Sequence, residues 1–165
     1  MTVRNNIDRS ARDKTAELLR HFVSGQMTNF DFEDKSPNTR DMAVNAICDS
    51  IWVFYDDFDE HKLTEKNSLA WDAKSIVSRW ILFLYSDYKY EWPLISHPGV
   101  RPLNHSFFSK LLGAEKKEKY FMSRGDYQVW PFFRVEDYEE SKKSPSLLAY
   151  GKKGEKKKGT QLFNR

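Results

Sequence analysis

Cysteine is almost absent from this 165-residue chain, in which Cys48 is the only one. One thiol cannot form an intrachain disulfide, so we expect a protein of the reducing cytoplasm. Long apolar runs are also missing: the longest has six residues, Trp80 to Tyr85, against the roughly 20 that a membrane helix needs. The first residues, MTVRNNIDRSARDK, are polar and lack the apolar stretch of a secretory signal. We therefore expect a cytoplasmic protein with no membrane partner.

The sequence motifs of common catalytic sites are missing as well. There is no Gly-x-Ser-x-Gly elbow, no glycine-rich phosphate loop and no HExxH pair. Cys48 lies in an apolar segment, so we expect a small core residue rather than a nucleophile. These absences predict a protein that is not an enzyme and holds no cofactor or metal. The catalytic alternative is a pocket around His97 and His105, which flank a proline-rich loop.

What the chain has in abundance is aromatic side chains, which make up 15% of its residues. The most apolar periodic segment runs from Ser75 to Pro93. Its apolar residues recur at spacings of three and four: Ile76, Val77, Trp80, Ile81, Leu84, Tyr85 and Tyr88. This pattern predicts a buried helix that Pro93 prevents from continuing. We expect the rest of the chain to pack around it.

A second long helix is predicted from Asp41 to Phe58, because Ile47, Ile51 and Phe58 belong to a buried stripe at helical spacing that Trp52 widens. Because the connection between the two long helices is short, we expect them to pair antiparallel. Several short helices complete an all-α fold. We expect a single compact helical domain over residues 1–143, followed by a basic flexible tail over residues 144–165.

Two aromatic stretches are expected to pack on each other. One runs from Tyr85 to Trp92 and the other from Tyr127 to Phe133 (YQVWPFF). Aromatic burial is the main source of stability available here, so we expect core packing with the tyrosine hydroxyls at its rim. The alternative is an exposed aromatic surface that binds a partner.

The net charge of +3 conceals two regions of opposite sign. Residues 1–141 carry 19 basic and 23 acidic side chains, whereas residues 142–165 carry eight basic ones and a single acid, Glu155. Between Arg40 and Lys62 every charged residue is acidic. An acidic body thus precedes a basic tail.

The acidic stretch supplies the candidate partner-binding residues, which are Asp49, Asp56, Asp57, Asp59 and Glu60. Negative charge is unfavourable at a helix C-terminus, so these acids suggest a solvated helix end, a cation site or a surface for a basic protein. Their spacing differs from that of a calcium loop, which disfavours the cation.

The tail supplies the alternative, a nucleic-acid contact through Lys152, Lys153, Lys156, Lys157 and Lys158. An anionic membrane surface would attract the same charges, and a tail that only solubilises the chain would also have this composition.

Two stretches resemble known families. Leu18 to Asp34 (LLRHFVSGQMTNFDFED) resembles the opening of colicin-like bacterial immunity proteins, in which a Ser-Gly turn precedes a short acidic and aromatic helix. SRWILFLYSDYKYEWP together with GDYQVWPFFRVEDYE resembles a family of small bacterial helical proteins without an assigned function. The first resemblance implies an immunity or antitoxin-like inhibitor. Together with the acid cluster and the missing catalytic motifs, it leads us to expect a noncatalytic protein whose acidic surface covers a basic toxin.

Overall fold

The computed structural model describes residues 6–54, 58–103 and 113–143. In those residues it contains six α-helices and no β-strand. The helices are α1 (Arg9–Val23), α2 (Asn29–Lys35), α3 (Met42–Ile51), α4 (Trp71–Tyr85), α5 (Ala114–Met122) and α6 (Val135–Lys143). Short 3₁₀ turns lie at Trp52–Phe54, Glu65–Asn67, Pro98–Val100 and Tyr127–Val129. The predicted all-α class is therefore confirmed for this part of the chain.

Polar side chains begin the first two helices. The Asp8 carboxylate accepts the Ala11 N–H at 3.0 Å, and this hydrogen bond lowers the pKa of Asp8. The Thr28 hydroxyl accepts the Asp31 N–H at 3.1 Å and so caps α2. Between the two helices, Gly25 has a φ of +72°, the left-handed conformation that commonly ends a helix.

Helix α4 is the buried centre of the fold, since Trp80 and Leu84 are completely inaccessible to solvent. It packs on α1, α3 and α6. It is shorter than the apolar pattern predicts, because it ends at Tyr85 and the chain continues to Trp92 without helical structure. The Ser86 hydroxyl donates to the Phe83 carbonyl at 2.7 Å and thereby occupies an acceptor of the last turn.

The predicted second long helix is wrong in its length. Helix α3 ends at Ile51, and a 3₁₀ turn continues only to Phe54. Phe58, expected in its buried stripe, is 93% exposed. The principal partner of α4 is α1 rather than α3, so the fold does not rest on the expected pair. Local periodicity marks apolar faces but does not specify which faces meet.

Arg12 and Asp41 form a buried ion pair where three helix ends meet. Neither side chain is accessible to solvent, and Arg12 Nε lies 2.6 Å from an Asp41 oxygen. Asp41 caps α3 by accepting the Ala43 N–H at 2.9 Å, and it also accepts the Asp8 N–H at 3.0 Å at the start of α1. The pair therefore fixes the first turn of α1 against the first turn of α3.

Arg12 also binds backbone carbonyls at and just after the C-terminus of α4. Arg12 Nη1 donates to the carbonyls of Ser86 and Tyr88 at 3.0 and 2.8 Å. Arg9 lies one turn before Arg12 in α1. It donates to the Leu84 and Ser86 carbonyls. Carbonyls at a helix C-terminus lack intrahelical donors, and positive charge is favourable there. This explains why the helical segment stops well before Pro93.

The two aromatic stretches pack on each other, as predicted. Tyr90 meets Trp130 edge to face with ring centroids 6.2 Å apart, and Trp92 meets Phe133 at 5.3 Å. Tyr90 departs from the expectation of a hydroxyl at the rim, because it is buried and its hydroxyl accepts the Trp130 indole N–H at 3.3 Å. Burial raises the pKa of Tyr90.

Replacing Arg12 with Met is expected to reduce the free energy of unfolding by about 3–5 kcal/mol, because Asp41 would stay buried without its counter-charge. Arg12→Lys keeps the charge but provides fewer and differently placed donors, so we expect a smaller loss. Urea unfolding of the full chain measures both, with Lys14→Met, an exposed position on α1, as the control expected within about 0.5 kcal/mol of wild type. An Arg12→Met variant as stable as this control would contradict the assignment.

Candidate protein-binding surface

The candidate acids Asp59 and Glu60 lie in a segment that is docked on the start of α2. A single antiparallel bridge joins Thr28 to Lys62. Asn29, which is fully buried, donates its amide to the Asp59 carbonyl at 3.1 Å and accepts the His61 N–H at 2.8 Å. Its own N–H donates to the His61 carbonyl. Asn29 thereby fixes the backbone on which both acids are carried.

Both side chains in that segment are exposed. The Glu60 carboxylate accepts the Thr28 hydroxyl at 2.8 Å, which orients it beside the N-terminus of α2. Negative charge is favourable at a helix N-terminus, so this placement is stable. The position of Glu60 is thus explained by the helix that it approaches, α2, rather than by α3, which it follows in the sequence.

Helix α2 adds three acids that are not among the candidate residues predicted from the sequence: Asp31, Glu33 and Asp34. Asp31 pairs with Lys35 at 2.5 Å, and this hydrogen bond is the main reason that the pKa of Asp31 is lowered. Lys35 is the single basic residue of the helix. The acids of α2 are visible in the sequence FDFED. The sequence does not show that they share a surface with Asp59 and Glu60, because that depends on the hydrogen bonds of the neighbouring Asn29.

Asp49 lies away from the other candidate acids in its contacts, since it binds the loop that contains His97. It is 40% exposed in its side chain, and its carboxylate accepts the His97 N–H. The His97 ring nitrogen Nδ1 lies 2.7 Å from the Asp49 carbonyl oxygen. Next to it, the Ser50 hydroxyl accepts the Gly99 N–H at 2.8 Å. Asp49 therefore anchors the Pro98–Val100 turn to α3.

The remaining predicted site residues lie outside the described residues. These are Asp56 and Asp57 of the acidic stretch, His105 of the catalytic alternative, and Lys152, Lys153, Lys156, Lys157 and Lys158 of the tail. The predicted tail, residues 144–165, lies outside them as well.

Large apolar side chains are exposed close to the acids. Trp52 is 36% exposed, Val53 is 50% exposed and Phe58 is 93% exposed. The spacing of Trp52 and Phe58 predicts that both belong to a buried stripe, but α3 ends at Ile51 and both side chains are exposed. We call the combined region the α2–α3 surface and define it by Asp31, Glu33, Asp34, Trp52, Val53, Phe58, Asp59 and Glu60.

A small cavity of about 80 Å³ joins the two helices of this surface. Its lining residues are Phe32, Glu33, Ser36, Cys48, Ile51 and Trp52, and we call it the Cys48 pocket. Burial raises the pKa of the Cys48 thiol to about 11, which leaves it protonated near neutral pH. The pocket connects Glu33 on α2 with Trp52 at the end of α3, so acidic and apolar parts of the surface adjoin.

A second cleft, more polar and about 360 Å³ in volume, lies at the start of α1. Its lining includes Asp8 and Asp41, whose carboxylates are already engaged by Thr39, Ala11 and Arg12. These contacts are the helix caps and the buried ion pair described above. The cleft is therefore explained by the architecture of the helix ends.

Over residues 6–54, 58–103 and 113–143, no three His, Cys, Asp or Glu side chains are grouped as a metal site would require. The helices in these ranges also include none with the length and apolar character needed to cross a bilayer. Comparisons of the chain with protein-family models, with curated proteins and with solved structures found no match.

The Cys48 thiol is expected to react with iodoacetamide at pH 8 about a hundredfold more slowly than an unperturbed thiol, because its raised pKa lowers the thiolate fraction in proportion. Mass spectrometry of the alkylated chain measures the rate, and the urea-unfolded chain serves as the control. Equal rates in the folded and unfolded chains would contradict the burial of Cys48.

Proposed function

We propose that this chain is a noncatalytic binding protein that inhibits a basic partner protein, as an immunity or antitoxin protein does. The observation that carries the proposal is the α2–α3 surface, in which Trp52, Val53 and Phe58 are exposed among carboxylates. Apolar side chains at the centre of a protein interface supply most of its affinity, and tryptophan is enriched among them. The surrounding charges select the partner.

The charge of the surface favours a basic partner. Five acids belong to it, and the basic residues of the two segments that carry them are Lys35, which is paired with Asp31, and Lys62. A field of one sign accelerates the association of an oppositely charged protein and disfavours acidic ones. Carboxylates also mimic phosphate charge, so a toxin that acts on nucleic acid would be covered at its substrate-binding face.

The resemblance of Leu18 to Asp34 to colicin-like immunity proteins supports the same proposal, because that stretch ends in α2. In this chain, α2 is the helix that carries Glu33 and holds the segment with Asp59 and Glu60. We assign the inhibitor role to this surface and the cytoplasm as its location.

Charge reversal tests the surface directly. We expect Asp59→Lys with Glu60→Lys to weaken binding to the partner by about 100-fold or more, since like charges would then face each other. The matched control, Glu17→Lys with Glu140→Lys, changes the net charge equally at exposed sites on α1 and α6 and should leave the affinity unchanged.

The partner is first identified by carbodiimide coupling of the tagged full-length chain in lysate, which joins carboxylates to lysine amines. Peptides coupled to Asp59 or Glu60 name the partner, and calorimetry with the purified partner then measures the affinity of each variant. A partner that binds both double variants as tightly as wild type would show that a different surface is used.

A second function follows from the charge of residues 142–165, with eight basic residues and one acid. In this alternative the chain is an accessory protein that binds nucleic acid through Lys152, Lys153, Lys156, Lys157 and Lys158. Replacing these five lysines with Gln is expected to abolish a gel shift with DNA or RNA that weakens as salt rises. Replacement of Lys14, Lys62, Lys66, Lys74 and Lys89 with Gln is the control of equal charge, and an identical loss in both variants would contradict a role specific to the tail.

A further inference from the structure

The Cys48 pocket is open to a side chain of a bound protein. The Trp52 side chain, 36% exposed, forms part of its wall, and the exposed residue Glu33 lies at the same cavity. The other walls come from the buried Phe32 and Ile51 and from the half-buried Ser36 and Cys48. The Ser36 hydroxyl donates to the Phe32 carbonyl at 2.7 Å. An apolar cavity flanked by one carboxylate holds a group that is apolar at one end and positive nearby.

The volume of the pocket limits the size of that group. Apolar cavities of about 150 Å³ accept a benzene ring, and this one has about 80 Å³. Its volume is therefore better matched to a branched aliphatic side chain than to an aromatic ring. The raised pKa of the Cys48 thiol is consistent with an apolar interior.

The charges near the pocket determine which kind of partner residue can lie beside the aliphatic side chain. Glu33 is followed by Asp34 in α2, and the docked segment brings Asp59 and Glu60 to the start of the same helix. An acidic partner segment would be repelled first by Glu33, the carboxylate that lines the pocket, while Asp34, Asp59 and Glu60 add to the negative charge of α2 and of the segment docked at its start. Charge complementarity thus selects a cationic neighbour.

We propose that the Cys48 pocket receives a leucine, isoleucine or valine side chain of the partner protein, adjacent in the partner's sequence to a lysine or arginine whose cation meets Glu33. This inference rests on the proposed binding function and assigns its recognition element. The apolar anchor supplies affinity, and the adjacent cation supplies selectivity.

A small probe tests the pocket without the partner. Isoamylamine carries an isobutyl group and an ammonium, isoamyl alcohol carries the same group without charge, and isovalerate carries it with a carboxylate. Each is titrated into the ¹⁵N-labelled full chain, and the amide shifts of Cys48 and Ile51 and the Trp52 indole shift are followed. We expect isoamylamine to bind with a Kd of about 1–10 mM and isoamyl alcohol to bind about threefold more weakly. Isovalerate should bind most weakly of the three.

Two variants separate the apolar and the charged contributions. Cys48→Leu fills the pocket and is expected to abolish all three titrations, with its melting temperature confirming that it folds. Glu33→Gln, at an exposed position, is expected to remove the preference for the amine over the alcohol, with its melting temperature confirming that it folds. Glu17→Gln on α1 is the matched control and should preserve that preference.

The proposal is overturned if isoamylamine leaves the pocket resonances unchanged, or if isovalerate binds as tightly as the amine. It is also overturned if a synthetic peptide of residues 144–165 shifts the same resonances more strongly, because the occupant is then the chain's own segment. These results depend on the pocket alone. Loss of partner binding after charge reversal depends on the whole α2–α3 surface, so the two proposals fail separately.

Discussion

The buried pair of Arg12 and Asp41 is the interaction on which the rest of the structure depends. A charge without solvent contact is stable only when it is paired and hydrogen-bonded, and this guanidinium contacts one carboxylate and two backbone carbonyls. Because those partners belong to the starts of α1 and α3 and to the end of α4, the position of each helix constrains the other two. The aromatic core then fills the space that these helix ends define.

Sequence periodicity predicted the buried face of α4 and the helical class, because burial repeats every three or four residues whatever the helix packs against. It did not predict the end of α4, which depends on Arg9 and Arg12 from a distant segment. It also extended α3 to Phe58, since apolar residues continue at helical spacing after the helix has ended. Long-range polar contacts, which periodicity does not encode, account for both errors.

In the candidate site, too, some features could be predicted from the sequence and others depend on long-range contacts. Composition and charge alone drew attention to Asp59 and Glu60, which are exposed together, and to Asp49, which binds His97 instead. The contribution of α2 depends on Asn29, a residue with no charge and no motif. Exposure of Trp52 and Phe58 follows from the early end of α3. The α2–α3 surface depends on the buried amide of Asn29 and on the early end of α3, and no sequence pattern predicts either of them.

The five tryptophans fall into two groups that differ in solvent exposure and therefore in how readily their fluorescence is quenched. Trp80, Trp92 and Trp130 are almost completely enclosed, whereas Trp71 is 85% exposed and Trp52 is 36% exposed. An aqueous quencher such as acrylamide reaches only the second group in the folded chain. Since Trp71 begins α4 and Trp52 belongs to the α2–α3 surface, a ligand on that surface shields one emitter and leaves the other accessible. The protein thus carries an intrinsic fluorescent reporter that separates occupancy from unfolding.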